Sequence, residues 1–464
     1  MIDERRKNRQ YELAFTDEPR GEAPATPGIR VEAVMAVNES ESPAGTERLM
    51  EEICERDNLL EALERVKSNK GAPGVDGMTV NELPNYLRKN WPTIQAQLLS
   101  GSYVPKPVRR VEIPKPTGGF RMLGIPCVLD RFIQQAVLRV LQERWDPTFS
   151  EQSYGFRPGR SAHQAVSQAQ QYIAEGHRYV VDFDLEKFFD RVNHDLLMGR
   201  VAKRISDKRL LRLIRSFLNA GIMDHGLFQP LQDEGVPQGG PLSPLLSNLF
   251  LDDLDRELER RGHRFVRYAD DCNIYVRSER AGHRVMESIK QYLGRKLRLR
   301  INEKKSAVAP VDQRKFLGFG MALWKPSEPR RVISPESIVR FKQKVRRLTR
   351  RARGRSLDQV IEELSGYLSG WASYYGFSEL PSVLRDLDSW IRHRLRCYVW
   401  SQWKTYKRRV EALVELGVER KEAVDFTWRS RRYGPWHMSL TKLLHKVFSN
   451  EFFREHGLFS LATK

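Results

Sequence analysis

Asp270 and Asp271 stand side by side in Tyr268-Ala269-Asp270-Asp271, between the β-type runs His263-Arg264-Phe265-Val266-Arg267 and Cys272-Asn273-Ile274-Tyr275-Val276. Two carboxylates at the tip of an apolar hairpin are costly. At ~4 Å and an effective dielectric of ~20, like charges repel by roughly 4 kcal/mol. A chain that needed only to reverse direction would use Asn-Gly or Asp-Gly there. The pair makes chemical sense as ligands of a divalent cation shared with a third acid. A solvated acidic turn is the plain alternative, so the rest of the chain decides.

A third acid is at hand. In Tyr179-Val180-Val181-Asp182-Phe183-Asp184-Leu185, strand alternation puts Val181, Phe183 and Leu185 on one face and Val180, Asp182 and Asp184 on the other. Asp184 ends the run, where a site-facing ligand would sit. Asp182 and Asp190 serve equally well as hydrogen-bonding or capping residues, and a helix starting near Asn193 favours the structural role for Asp190. Upstream, Ile113-Pro114-Lys115-Pro116-Thr117-Gly118-Gly119-Phe120-Arg121 reads as a hairpin with a cation on each arm. That arrangement suits a triphosphate clamp, and a solvated charged hairpin carries the same signature. Gly235-Val236-Pro237-Gln238-Gly239-Gly240-Pro241-Leu242-Ser243-Pro244 leads into a helix, with glycines that let backbone approach a ligand closely. Asn302-Glu303-Lys304-Lys305-Ser306 and Phe316-Leu317-Gly318 complete the series.

The elements that must position these residues follow from the pattern. Candidate strands are 108–113, 179–185, 265–268, 273–276 and 315–319, separated by helical stretches such as 130–143 and 242–260, which predicts an α+β core. Residues 1–45 are polar and rich in Glu, Pro, Ala and Gly, and read as a disordered tail. Ordered sequence is expected from Thr46, with Leu49, Ile53, Leu59 and Leu60 on an amphipathic helix. After about residue 330 the chain turns to basic helices. Ser334-Pro335 is a cap and first-turn pair. Ile338, Phe341, Val345 and Leu348 then share one face, and Arg346, Arg347, Arg350 and Arg351 lie off it. A second helix places Leu384, Leu387, Ile391, Leu395 and Val399 inside, leaving Arg385, Arg392, Arg394 and Arg396 for the outside.

At 464 residues the chain has room for several domains. Lys plus Arg number 79 against 59 Asp plus Glu, a net charge of +20. An excess of that size points to a polyanionic partner, nucleic acid before an anionic membrane surface. No stretch approaches the ~18 apolar residues of a membrane span. The four cysteines (Cys54, Cys127, Cys272 and Cys397) form no C-x-x-C pair, which argues against a zinc knuckle or disulfide framework and fits a reducing cytosol.

The ordered series closely resembles the motif set of bacterial group II intron-encoded reverse transcriptases, also called maturases, from about Leu49 to the C-terminus. Lys70-Gly71-Ala72-Pro73-Gly74-Val75-Asp76-Gly77, Leu123-Gly124-Ile125-Pro126 with Asp130-Arg131, and Ser153-Tyr154-Gly155-Phe156-Arg157-Pro158 belong to the same set. So do Gly370-Trp371-Ala372-Ser373-Tyr374-Tyr375-Gly376 and Trp390-Ile391-Arg392-His393-Arg394-Leu395-Arg396 in the basic helices.

The resemblance implies a right-hand polymerase. Fingers and an antiparallel palm sheet with an N-terminal extension would occupy 46–325, a helical thumb or maturase X domain 326–404, and a small basic DNA-binding segment 405–464. It implies that Asp184, Asp270 and Asp271 are catalytic and, with the Leu185 carbonyl, hold two Mg²⁺ ions. Lys115, Arg121, Phe189, Gln238, Gly239 and Lys305 would meet the incoming deoxynucleoside triphosphate, with Phe189 excluding a ribose 2′-hydroxyl. Phe316, Leu317 and Gly318 would grip the primer. Arg346, Arg347, Arg350, Arg351, Arg392, Arg394 and Arg396 would bind RNA, whereas Trp371 and Tyr374 read first as core packing.

The implied partners are group II intron RNA, an RNA template with a DNA primer, and target DNA, in the cytoplasm near the nucleoid and away from membranes. No paired cysteines follow Trp403, so a His/Asn/Cys nuclease module is not expected, as in the compact class C branch. The alternatives are a domesticated group II-like enzyme of DNA repair or phage defence, a splicing-only RNA-binding maturase, and an RNA polymerase.

Overall fold

The computed structural model describes residues 45–114, 119–224, 227–229, 235, 239–325, 328–350 and 354–462. The strands, in order, are β1 (Val108–Pro114), β2 (Phe120–Ile125), β3 (Tyr179–Phe183), β4 (Ile222–Asp224), β5 (Leu227–Gln229), β6 (Arg264–Tyr268), β7 (Asp271–Val276), β8 (Ala307–Pro310), β9 (Lys315–Phe316), β10 (Phe319–Lys325) and β11 (Glu328–Ile333). They form a four-stranded sheet of order β2-β1-β4-β5, a four-stranded sheet of order β6-β7-β3-β8, and a three-stranded sheet of order β11-β10-β9. β1 and β2 pair antiparallel with Ile113 opposite Arg121 and Pro114 opposite Phe120, so the two ends of the expected cationic hairpin meet in register. The described residues divide into two compact units, one drawn from 45–165, 181–274 and 280–308, the other from 166–180, 275–279 and 309–462.

In the first unit the helix Ser243–Arg260 is wrapped almost all round. It buries Leu245, Leu246, Leu249, Phe250, Leu251, Leu254 and Leu258, and with them the polar Asn248, Asp252 and Asp255. A helix apolar on more than one face belongs in a core, and its polar members must then find partners there. Val181, Phe183 and Leu185 are buried while Asp182 and Asp184 are half-buried, as alternation along β3 demands. The amphipathic stretch after Thr46 breaks at Cys54 into Leu49–Ile53 and Arg56–Ser68. Where one helix was expected from 49 to 60, Asp207 instead accepts from the Met50 amide at 3.0 Å and pins the first short turn.

In the second unit the helices Pro335–Leu348, Leu357–Tyr375 and Pro381–Gln402 enclose a continuous apolar core containing Phe341, Val345, Leu364, Leu368, Ile391 and Leu395. Ser334 caps the first, accepting from the Ser337 amide, with Pro335 opening its first turn. Ser356 and Gln359 close a reciprocal capping box on the second. Trp371 is core, packed on Phe341 at 4.4 Å and Tyr375 at 4.7 Å between ring centroids. The stretch 315–319, expected as one strand, is a hairpin. Leu317 and Gly318 take φ of +51° and +84°, and Phe316 pairs with Phe319 across the turn. Alternating bulk hid the reversal, and only Gly318 signalled it.

Candidate active site

The acidic turn is a two-residue connection. β6 ends at Tyr268, β7 starts at Asp271, and Ala269 sits at φ +59°. A left-handed alanine costs free energy unless its surroundings enforce it, and here they do. Arg267, 1% exposed, donates to the Ala269 carbonyl at 2.9 Å and to Asn248 Oδ1 at 3.0 Å. Its other guanidinium edge makes a bidentate pair with Asp255, at 2.7 and 2.5 Å. Asn248 in turn donates to the Gly155 carbonyl at 2.8 Å. Gly155 lies so close to the turn that a Cβ there would stand 2.3 Å from the Ala269 nitrogen. Burial alone would lower the Arg267 pKa; the Asp255 carboxylate outweighs it and holds the group charged. Sequence reasoning passed over Arg267, Asp255 and Asn248. The available signal was Asn248 and Asp255, two helical turns apart on a helix too apolar to leave them in water.

β7 lies beside β3. Asn273, with its amide oriented to satisfy its neighbours, donates to Asp182 Oδ1 at 3.3 Å. Two residues from that contact along each chain, on the same sheet face, stand Asp271 and Asp184. Asp184 is held by the segment that follows the bridge of Leu185 to Ile301. Its amide donates to Ser306 Oγ at 3.0 Å and its carbonyl accepts from the Asn302 amide at 2.8 Å. Lys305 Nζ meets Asp184 Oδ2 at 3.0 Å. Asp184, Asp270 and Asp271 are each half-buried, reachable from solvent on one side.

Around them, Phe189 is half-buried in the short helix Phe188–Arg191, edge-on to Phe188 at 5.2 Å. The Asn193 side chain caps the next helix by accepting from Leu196 N at 3.0 Å, so the capping task considered for Asp190 falls to it. The Gly235 amide donates to the Val192 carbonyl at 2.9 Å, and His194 Nε2 donates to the Gly235 carbonyl at 2.6 Å. Gly239 has φ +121° and would press a Cβ to 2.4 Å from the Gly124 carbonyl, so only glycine fits. Lys115, Gln238 and Arg351 lie outside the described residues. Arg121 is in β2, its side chain likewise outside them.

In the second unit Tyr374 donates to the Leu317 carbonyl at 2.8 Å, and the Ser334 amide donates to the Gly318 carbonyl at 3.0 Å, locking the 316–318 turn. Arg346, Arg347 and Arg350 are exposed and Arg392 is half-buried. Arg394 donates to Thr349 Oγ1 at 2.8 Å. Arg396 departs from the expected outward face. It is 4% exposed, donates twice to the Phe448 carbonyl at 3.0 and 2.8 Å, and its pKa is pushed down to about 10 by burial. The helix end is covered there by the C-terminal segment, so Arg396 is a tie inside the fold and no surface cation.

The four-stranded sheet that carries the acidic turn lies within a stretch that matches a nucleic-acid polymerase family. Residues 113–321 match the family described as "Reverse transcriptase (RNA-dependent DNA polymerase)", and residues 338–414 match "Group II intron, maturase-specific domain". Protein YkfC of Escherichia coli (strain K12) is 36% identical over 306 residues, 57% of this chain and 80% of that protein. The group II intron-encoded protein LtrA of Lactococcus lactis subsp. cremoris is 28% identical over 338 residues, 59% of this chain and 56% of LtrA. The putative COX1/OXI3 intron 2 protein of Saccharomyces cerevisiae is 32% identical over 231 residues, 49% of this chain and 26% of that protein. The chain thus spans most of YkfC, about half of LtrA and a quarter of the yeast protein. A solved partial Cas6-RT-Cas1–Cas2 complex is 26% identical over 56% of this chain and 43% of its own, at a TM-score of 0.35, too low to carry an argument. The chain belongs to the group II intron-type reverse transcriptases and maturases.

Proposed function

We propose that the chain is an RNA-directed DNA polymerase that binds its intron RNA, assists its splicing, and copies it into DNA at a DNA target by target-primed reverse transcription. The observation that carries the reading is the placement of Asp184 and Asp271 on one sheet face, next to Asp270 in an enforced turn, with a cation already at Asp184.

The donor set fits Mg²⁺. Three hard carboxylates are half-exposed, and the Lys305 ammonium stands where positive charge is wanted. Among the described residues, no three His, Cys, Asp or Glu side chains converge closely enough to hold an ion by themselves. Mg²⁺ is usually held by one or two carboxylates, with waters and substrate phosphates completing its shell. Asp184, Asp270 and Asp271, with the Leu185 carbonyl, would hold two Mg²⁺ ions, whose chemistry is to acidify the primer 3′-hydroxyl and neutralise the triphosphate.

The chain's own groups do the rest. Lys115 and Arg121 bind triphosphate oxygens, Lys305 adds a cation beside Asp184, and Gln238 and Gly239 approach the nascent pair. Phe189 crowds the sugar 2′ position. Phe316, Leu317 and Gly318 seat the primer end. Arg346, Arg347, Arg350, Arg351 and Arg392 make salt-sensitive phosphate contacts with the intron.

The test is purified protein with Mg²⁺, an RNA template and an annealed DNA primer, run beside splicing of the RNA that flanks the gene. Asp270→Asn is expected to abolish cDNA synthesis and leave intron binding within a few-fold of the parent. Retained synthesis would sink the site assignment. Splicing activity without any synthesis by the parent would favour the splicing-only alternative.

A further inference from the structure

The helix Arg420–Ser430 is built inside out. Its small residues Ala423, Thr427 and Ser430 are 0, 1 and 2% exposed, whereas Val424 is 40% and Trp428 60% exposed. Tyr433, Trp436 and Leu440 follow at 53, 45 and 56%. Five large apolar side chains in seventeen residues face water, among them the only tryptophans more than two-fifths exposed among the residues whose side chains are described. Apolar exposure concentrated like this marks an interaction surface.

Each ring is backed by a flat polar group. The Arg431 guanidinium lies 4.1 Å from the Trp428 centroid and 5.0 Å from that of Tyr406. Tyr433 stacks on His437 at 4.4 Å and 19°. Trp436 meets His393 at 3.8 Å with the ring planes tilted by 37°. One side of each ring is thus occupied by a polar neighbour. The surroundings are cationic, with six Lys or Arg against two acids between residues 420 and 442.

We infer that this strip is a stacking platform for the unpaired bases of single-stranded nucleic acid. The core of a protein-binding patch is depleted of charged residues, Lys among them. Here Arg431 or an imidazole lies against each ring and Lys and Arg outnumber the acids, which matches bases held by their π-faces with phosphates alongside. The inference deepens the proposed function by giving the basic C-terminal segment a ligand class, and it rests on that reading only for the nucleic acid's origin.

The experiment uses the full chain with fluorescein-labelled oligothymidylate and a duplex of equal length. Trp428→Ala combined with Trp436→Ala should weaken single-strand binding roughly thirty-fold or more, leave duplex binding unchanged, and remove the quenching of tryptophan fluorescence that the oligomer produces. Trp428→Phe should retain most of the affinity. Far-UV circular dichroism and the melting temperature report whether the variants are folded. Equal losses on single strand and duplex, or no loss in folded variants, overturn the inference. So does a change confined to self-association, which would make the strip a protein interface. The parent's failure to extend an annealed primer would instead strike the polymerase reading and leave the binding result standing.

Discussion

Arg267 decides more about the acidic turn than either aspartate does. Its guanidinium bonds Asp255 twice, Asn248 once and the Ala269 carbonyl once, all inside the core. Removing one partner of a buried pair strands the other charge, at a cost of about 3–5 kcal/mol, while replacing both with apolar groups is often near neutral. Arg267→Ala should therefore lower unfolding stability by that amount in a urea titration. Arg267→Met with Asp255→Leu should recover most of it yet stay poor at primer extension, because Ala269 has lost the donor that holds its left-handed backbone. Full recovery of extension by the double variant would reduce the pair to scaffolding.

At the scale of elements, the hairpin between β9 and β10 shows how a turn is made to hold a surface in place. Leu317 and Gly318 both adopt positive φ, and the carbonyl of each is fixed from another element: Tyr374 bonds one, Ser334 and Ser337 the other. A Cβ on Gly318 would stand 2.7 Å from the Tyr375 hydroxyl at a φ that L side chains rarely adopt. Gly318→Ala should cost more than about 1 kcal/mol by thermal melting, and, if the turn seats a primer, should raise the primer concentration needed for half-maximal extension. An unchanged melting temperature would show that the hairpin relaxes freely. The turn was only half legible beforehand. Gly318 stands out in the sequence, but Leu317 at φ +51° has no local signature, because what holds it there is a tyrosine 57 residues away.

For the whole molecule, a buried acid away from the acidic turn makes stability depend on pH. Asp130 is 2% exposed and accepts from the Tyr103 hydroxyl at 2.8 Å and the Lys106 amide at 3.2 Å. Burial raises its pKa to about 6. The folded chain therefore binds this proton more tightly than the unfolded chain does. Stability from this group is greatest at the acid end and falls as pH rises from the usual carboxylate range through about 6, by on the order of 2–3 kcal/mol. Asp130→Asn keeps an acceptor for Tyr103 and removes the titration. Denaturant midpoints measured between pH 4 and 7 should fall less steeply in that variant than in the parent. Parallel profiles would mean that Asp130 does not carry the effect.

The chain by itself carries the residues on which the proposed chemistry rests. Adjacent acids at Asp270 and Asp271, the alternation that singles out Asp184, the glycines around Gly239 and the excess of cations are local facts, because carboxylate repulsion, strand period and backbone freedom act over a few residues. Their order along the chain carries the family resemblance without any tertiary contact. The tertiary structure alone decided which charges serve the interior. Arg267 and Arg396 look like any other surface arginine in a linear pattern, yet one anchors the acidic turn and the other ties Phe448. It also decided that Trp428 and Trp436 face water while Trp371 and Trp400 do not. The reason is physical. Burial depends on which distant segments cover a helix face, and a side chain's own type sets only the free-energy cost of leaving it uncovered.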